Sequence, residues 1–493
     1  MSENSTIHDL LVIGGGINGC GIAADAAGRG LDVVLCEMGD LASATSSAST
    51  KLIHGGLRYL EQYEFRLVRE ALAEREVLLR NAPHIITPMR FQLPHRPHLR
   101  PRWMIRAGLF LYDYLSRRVT LPASRGMRFA DDSPLQPEFK YGFEYSDAWV
   151  DDARLVVLVA TLARQKSAQI RVHTKCVAAL AEAGIWNVTL QDQRTGTRQQ
   201  LRARALINAA GPWVGALSAD LLPQIPRHAV RLVKGCHIIV PRLHDKPEAF
   251  LLQNSDGRVV FVIPYQQDYS LIGTTEDDFT GDPSMAQISS WETDYLIGIV
   301  NECFRTQVSA VDVVHHFAGV RPLLGGEEEN ASKVSRDYLL ELTAEPAPVL
   351  TVYGGKITTY RSLAENAMEK LASQFPHMGK AWTAKATLPG GEFTSQAALL
   401  AEFKQAWPWL PEGLLQRWVG SYGVITRQLL EGCSTLSDLG WDFGHGLYAR
   451  EVDYLCEQEW AECGDDILWR RTKLGLRFST VESEVLINYL AAR

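Results

Sequence analysis

Three glycines, Gly14, Gly16 and Gly19, follow the apolar run DLLVI at 9–13. In a G-x-G-x-x-G arrangement the first permits a tight turn and the second lets a pyrophosphate approach the backbone. The third lets a helix pack closely on its strand. Ile17 and Asn18 then lie at a helix N-terminus, whose N–H groups and positive dipole end attract phosphate. Glu37 ends the next apolar run; there it can accept hydrogen bonds from a ribose diol and would repel a 2′-phosphate. Other reactive residues are dispersed: His54, Arg58 and Tyr59 in HGGLRYL, His237 in KGCHIIV, Thr274 in IGTT, Arg321 in GVRPL, Arg336 in SRDY and Lys356 in GGK. Arginine grips an oxyanion through two parallel N–H bonds, and histidine titrates near neutrality. These types suit anion binding, charge stabilisation and proton transfer beside a nucleotide.

Positioning them requires a βαβ unit. The pattern predicts a strand at 9–13, a helix at 17–29 and a strand at 32–36, followed by a helix at 63–80. A helix-plus-strand unit spans about 152–180, and the strand ARALINAAG ends at Gly211. From 229 to 275 the period falls to two, with a turn at Asp256-Gly257, as expected of a mostly antiparallel second domain. The strand PVLTVYGG precedes a helix at about 358–373, and seven of the twelve tryptophans lie in the helical-looking segment after 380.

The expected fold is α/β: a Rossmann-like dinucleotide domain of the amino-acid-oxidase/glutathione-reductase type (7–85, 150–228 and 330–380). It carries an inserted antiparallel substrate domain (86–149 and 229–329) and a helical C-terminal domain (386–493). Between 44 and 63, ATSSASTKLIHGGLRYLEQY supplies small hydroxyl residues and paired glycines that let backbone lie against a flat or anionic ligand. NAAGPW at 208–213 and YGGK at 353–356 offer two further close approaches. Three such elements favour a long, extended FAD over NAD, and the helix after Lys356 can aim its positive end at the ring system.

The 493 residues carry a formal charge of −7, which argues against a general nucleic-acid binder. The eight cysteines show no CxxC pair, and most sit in apolar contexts, which reads as reduced thiols in a reducing compartment. His315 and His316 are adjacent but lack the carboxylates of a metal centre, so no metal is expected. Neither a secretory signal nor an apolar run long enough to span a bilayer is visible.

Against this acidity, residues 90–118 hold seven arginines and one acid, Asp113, among Trp103, Phe110, Tyr112, Tyr114 and other apolar residues. The run is too short to span and suits an interfacial helix among anionic phospholipid headgroups. The alternatives are a basic helix whose apolar face is core, and a dimer interface. The chain is expected in the cytoplasm, peripheral on the inner face of the membrane.

Several segments, in order, carry a likeness: LLVIGGGINGCGIAADAAGRGLDVVLCE, TSSASTKLIHGGLRYLE, EYSDAWVDDARLV, NAAGPWV, GVRPL and YGGKITTYRSLAE. The chain resembles the FAD-dependent glycerol-3-phosphate dehydrogenases, most of all the aerobic bacterial membrane-associated type, over nearly its full length. The resemblance implies oxidation of sn-glycerol 3-phosphate to dihydroxyacetone phosphate, with hydride passing from C2 to FAD N5 and electrons passing to a membrane quinone; a homodimer is also expected. It assigns FAD to Gly14, Gly16, Ile17, Asn18, Gly19, Glu37, Thr45, Ser46, Ser47, Lys51, Leu52, His54, Gly55, Gly56, Val177, Ala209, Gly211, Trp213, Gly355, Lys356 and Ile357. Substrate falls to Arg58, Tyr59, Thr274, Arg321, Arg336 and Lys356. Tyr59 and Arg336 are expected on the phosphate, and Arg321 and Lys356 near C2. Either His54 or His237 takes the hydroxyl proton; water, or an arginine acting electrostatically, remains open. A glycerol-3-phosphate oxidase using oxygen and a non-catalytic flavin redox sensor are the competing functions.

Overall fold

The computed structural model describes residues 6–96, 98–225, 228–325 and 337–493, apart from the side chain of Gln62. Arg336 lies outside the described residues.

The first sheet is built around β1 (Ile7–Ile13). This strand pairs in parallel with β2 (Val33–Cys36) on one side and with the strand Arg198–Asn208 on the other. The parallel order extends to Val349–Tyr353 at one end and Gln169–Arg171 at the other. An antiparallel hairpin, Thr174–Glu182 with Ile185–Asp192, joins the strand Arg198–Asn208. Leu10–Ile13 of β1 and all of β2 are continuous apolar runs because both faces of the sheet are covered there. Helix α1 (Ile17–Gly28) is largely alanine and glycine, which lets it lie close to the sheet. Its outer side packs on another helix, Asp152–Gln165, whose first twelve residues are all buried. Asp151 caps that helix by accepting from the Arg154 N–H at 3.1 Å.

The second sheet has ten strands, drawn from 52–53, 86–150 and 230–324. It is mostly antiparallel, with a parallel join between Ile86–Pro94 and Ala249–Gln253. The long strands Val230–Pro241 and His315–Leu324 pair over ten positions, which sets Val233 opposite Arg321 and His237 opposite Phe317. One face of this sheet and the first sheet's strand ends bound a cleft.

The C-terminal helices, including Glu412–Tyr422, Ala449–Glu459 and Thr480–Ala491, enclose a core of their own containing Phe403, Trp418, Tyr422 and Leu455. Buried ion pairs fasten this unit to the nucleotide half: Arg154 with Glu459, Arg471 with Asp40 at 2.7 Å, and Lys473 with Asp151 at 2.9 Å. Trp469 also stacks on His315, with ring centroids 4.1 Å apart.

The basic stretch forms a helix, Arg102–Tyr114. Ile105, Leu109 and Tyr112 face the core, while Trp103, Met104, Phe110, Leu111 and Tyr114 are exposed. Counting charges along the sequence overstates the patch. Arg90 pairs with Glu144, Arg96 with Glu302, Arg100 with Glu61 and Arg118 with Asp113. Among the described residues, Arg102, Arg106 and Arg117 make no ion pair and stay exposed, so the outward face is a tri-arginine, aromatic surface. No helix of the described residues is long and apolar enough to cross a membrane.

Candidate active site

The glycine loop leaves β1 with Gly14 at φ +115, its N–H donating to the Cys36 carbonyl at 2.9 Å. A Cβ there would meet the Ala209 carbonyl oxygen at 2.5 Å, and one on Gly19 would meet the Gly14 carbonyl oxygen at 1.9 Å. The loop, α1 and the strand end at Ala209 are therefore packed as closely as backbone allows. Glu37 accepts from the Gly15 N–H at 2.6 Å and the Gly39 N–H at 2.8 Å; burial raises its pKa and those two bonds oppose the rise. The carboxylate is thus fixed beside the glycine loop, where a ribose would lie.

The 44–52 segment crosses the start of α1. Ser46 Oγ accepts from the Ile17 N–H at 3.0 Å, and Thr45 Oγ1 donates to the Val320 carbonyl at 2.6 Å. Ser47 offers its carbonyl to Lys51, whose buried ammonium also reaches Asp152 at 2.7 Å. The Lys51 ammonium is thus engaged inside the protein, and it does not line the cleft. Asn18 Nδ2 donates to the Gly354 carbonyl at 3.1 Å and so ties α1 to the GGK loop, while its buried Oδ1 has no partner among the described residues. Gly355, at φ +97, approaches Asn18 so closely that a Cβ would lie 2.6 Å from Nδ2.

These segments open onto one cleft of about 390 Å³. Among the sequence-expected residues, it is lined by Gly16, Ile17, Asn18, Thr45, Ser46, Leu52, His54, Gly56, Arg58, Tyr59, Ala209, Gly211, Thr274, Arg321, Gly355, Lys356 and Ile357. Val177 and Trp213 lie apart from it: Val177 is at a bulge in the hairpin strand Thr174–Glu182, and Trp213 Nε1 donates to Asp282 at 3.1 Å. Close glycine contacts, a helix N-terminus and an amide oxygen with no partner among the described residues along the cleft, with the Glu37 carboxylate fixed beside the glycine loop, fit a dinucleotide bearing a flat ring.

The cationic end is organised by a residue the sequence reading missed. Glu276 is buried, with Arg58 Nη1 at 3.1 Å from one of its oxygens and Arg321 Nη1 at 3.5 Å from the other. Arg58 is thus held by a carboxylate as well as aimed into the cleft. A signal was present: in IGTTE, Thr274 and Glu276 are two apart in an extended segment and share a face. Lys356 lies over Tyr59, its ammonium 3.9 Å from the ring centroid. Thr274 lines the cleft, with Oγ1 donating to the Thr275 carbonyl at 3.0 Å. Phe261, Leu251 and Tyr145, also unforeseen, supply an apolar wall.

The two histidines part company. His54 lines the cleft beside Phe261, ring centroids 6.4 Å apart. His237 does not: it is fully buried, stacked on Phe317 at 4.9 Å, with Nε2 3.0 Å from Thr50 Oγ1. Burial, then the charges of Arg321 and Lys51, hold its imidazole neutral well below the usual range. His237, the other expected proton acceptor, thus sits behind the cleft lining, with the Gly273 backbone close against its ring.

Comparison with known proteins completes the picture. A family model for FAD dependent oxidoreductases matches residues 9–361. The glycerol-3-phosphate dehydrogenase of Pseudomonas aeruginosa is 56% identical over 98% of this chain and 95% of its own length. The D-erythritol 1-phosphate dehydrogenase of Brucella abortus is 48% identical over 99% and 98%. Among solved structures, the glycerol-3-phosphate dehydrogenase from Bacillus halodurans complexed with FAD superposes with a TM-score of 0.75 at 26% identity, covering 100% of this chain and 95% of that one. The chain belongs to the FAD-dependent oxidoreductase family and, within it, to the glycerol-3-phosphate dehydrogenases.

Proposed function

We propose that this protein oxidises sn-glycerol 3-phosphate to dihydroxyacetone phosphate and delivers the electrons to a membrane quinone. One observation carries the reading: the glycine-loop nucleotide site and the Arg58–Glu276–Arg321 cluster, with Lys356 beside it, open into the same cleft. A flavin and a phosphorylated alcohol would then share one water-restricted space.

Bound FAD would accept the C2 hydride. The N–H groups around Gly16 and Asn18 would hold its pyrophosphate, Glu37 its ribose, and the 44–56 and 354–357 segments its ring. Arg58 and Tyr59 bind the substrate phosphate, with Arg336 assigned there by resemblance. Arg321 and Lys356 stabilise negative charge as it builds on the substrate oxygen. His54 takes the hydroxyl proton; its place in the cleft and the enclosure of His237 support that choice.

The quinone assignment is supported by the exposed Trp103, Phe110 and Tyr114 beside Arg102, Arg106 and Arg117, a composition suited to an anionic lipid surface.

A second reading is D-erythritol 1-phosphate as substrate, favoured by the Brucella relative. Anaerobic addition of each polyol phosphate to the purified yellow protein separates them. Faster bleaching by glycerol 3-phosphate supports the proposal; faster bleaching by erythritol 1-phosphate overturns the substrate. Peroxide formation on reoxidation, at a rate matching turnover, overturns the quinone.

A further inference from the structure

The helix Arg102–Tyr114 reaches the cleft loop directly. The Gly55 N–H donates to the Tyr112 hydroxyl at 2.8 Å. That hydroxyl in turn donates to Asp147, whose two oxygens lie at 2.8 and 2.9 Å, and Arg75 Nη1 donates to Asp147 at 2.5 Å. All three residues are 2% exposed. A phenol taken this deep is stable only when both its donor and its acceptor sides are used, as they are here.

On the other side of this link is the active-site loop. Gly55 stands between His54, which lines the cleft, and Gly56, at φ +74, which turns the chain into the 3₁₀ segment Leu57–Gln62 carrying Arg58 and Tyr59. The contact leaves no slack. A Cβ on Gly55 would lie 2.7 Å from the Tyr112 oxygen, and one on Gly56 would lie 2.2 Å from the Tyr59 ring. The peptide plane at Gly55 therefore sets where His54 points before it and where Arg58 and Tyr59 point after it.

We propose that Tyr112, which lies outside the cleft, is a positioning residue. Its hydroxyl fixes the Gly55 peptide and through it the placement of His54, Arg58 and Tyr59. The kinetic part rests on the reading of the cleft as a polyol-phosphate oxidation site; the structural part does not.

The test uses full-length flavoprotein carrying Tyr112→Phe, with Leu109→Ala as comparator. Leu109 is buried on the same helix, so its loss loosens packing without touching the hydroxyl. Three readouts are taken: hydrogen exchange of amides 52–60, the rate and substrate dependence of anaerobic flavin reduction by sn-glycerol 3-phosphate, and thermal stability. In the wild type the Gly55 amide exchanges slowly. In Y112F it exchanges at least about tenfold faster, and reduction per bound flavin falls by up to about 10²-fold, as expected for displaced reacting groups. L109A lowers stability but keeps slow Gly55 exchange and near wild-type reduction. Fast exchange of Gly55 in the wild type, unchanged exchange or unchanged reduction in Y112F, or an equal kinetic loss in L109A each overturns the proposal. If wild-type flavin is reduced by no polyol phosphate, the functional reading fails, while the exchange comparison still decides the Tyr112–Gly55 link.

Discussion

Lys356 rests on the face of Tyr59, its ammonium 3.9 Å from the ring centroid. The contact joins the glycine-rich 353–356 loop to the 54–59 loop, two segments some 300 residues apart in the chain. The ring's negative face holds the cation at the cleft wall without neutralising it. Replacing Lys356 by Met keeps much of the stem but removes the charge. The expected result is bound flavin with kcat/KM lowered by about 10²- to 10³-fold, the cost of losing one charge-stabilising group. Tyr59→Phe keeps the ring beneath the ammonium and should act mainly on KM, raising it by about tenfold through loss of one hydroxyl bond to a charged phosphate. Steady-state assay with a soluble dye acceptor checks both.

Glu276 lies between Arg58 and Arg321 and competes with any incoming anion for the same guanidinium groups. Glu276→Gln removes that competitor. Inorganic phosphate should then inhibit more tightly, by about three- to tenfold given the partial screening of such pairs. Weaker phosphate inhibition would mean that the carboxylate's main effect is to orient the arginines.

The choice of proton acceptor predicts a split in pH dependence. If His54 receives the proton, the acid limb of the flavin-reduction rate disappears in His54→Gln, with a rate loss of about 10²- to 10⁴-fold. It should persist in His237→Asn, because the buried His237 imidazole is already neutral throughout the neutral range. Stopped-flow reduction between pH 5 and 8 decides this.

His84 makes stability pH-dependent. Burial, then the charge of Arg154, lowers its pKa from 6.5 to about 3. The unfolded chain takes up a proton below pH 6.5 that the folded chain refuses until about pH 3. This group's contribution is therefore complete above pH 6.5 and is lost as the pH falls toward 3. Between pH 7 and pH 5 the loss is about 2 kcal/mol. His84→Gln should shrink the difference in urea-unfolding free energy between those two pH values by about that amount, whatever it does to stability at pH 7.

The exposed face of Arg102–Tyr114 should bind anionic vesicles. Reversing two unpaired charges, Arg102→Glu with Arg106→Glu, should weaken co-sedimentation with phosphatidylserine vesicles by more than about tenfold, since each cation contributes about 1 kcal/mol at such a surface. Trp103→Ser with Phe110→Ser should weaken it further and leave dye-coupled activity unchanged. Unaltered vesicle binding in both variants would return this face to the dimer-interface alternative.

Much of the nucleotide half is legible from the sequence because its information is local. Gly14, Gly16, Gly19 and Glu37 fall within one βαβ unit, where spacing alone decides which backbone groups meet. The period-two strands of the second sheet and the helical character of the C-terminal segment follow from side-chain alternation in the same way. The basic helix was likewise visible as a composition.

Pairing is a different matter. Arg90, Arg96 and Arg100 read as a free positive patch until the fold brings Glu144, Glu302 and Glu61 to them. His54 and His237 look equivalent as residue types, and only the fold separates them: the sheet register buries His237 against Phe317 and Gly273, while His54 lines the cleft. Lys51 sits among cofactor-loop residues, yet its ammonium serves Asp152.

The sequence alone determined that a nucleotide must bind at the glycine turn, because turn geometry, helix dipole and strand end are fixed by neighbours a few residues away. Only the tertiary structure decided which charges remain available to a substrate. A charge is silenced or left active by whatever lies within a few ångströms, and here that neighbour comes from tens to hundreds of residues along the chain.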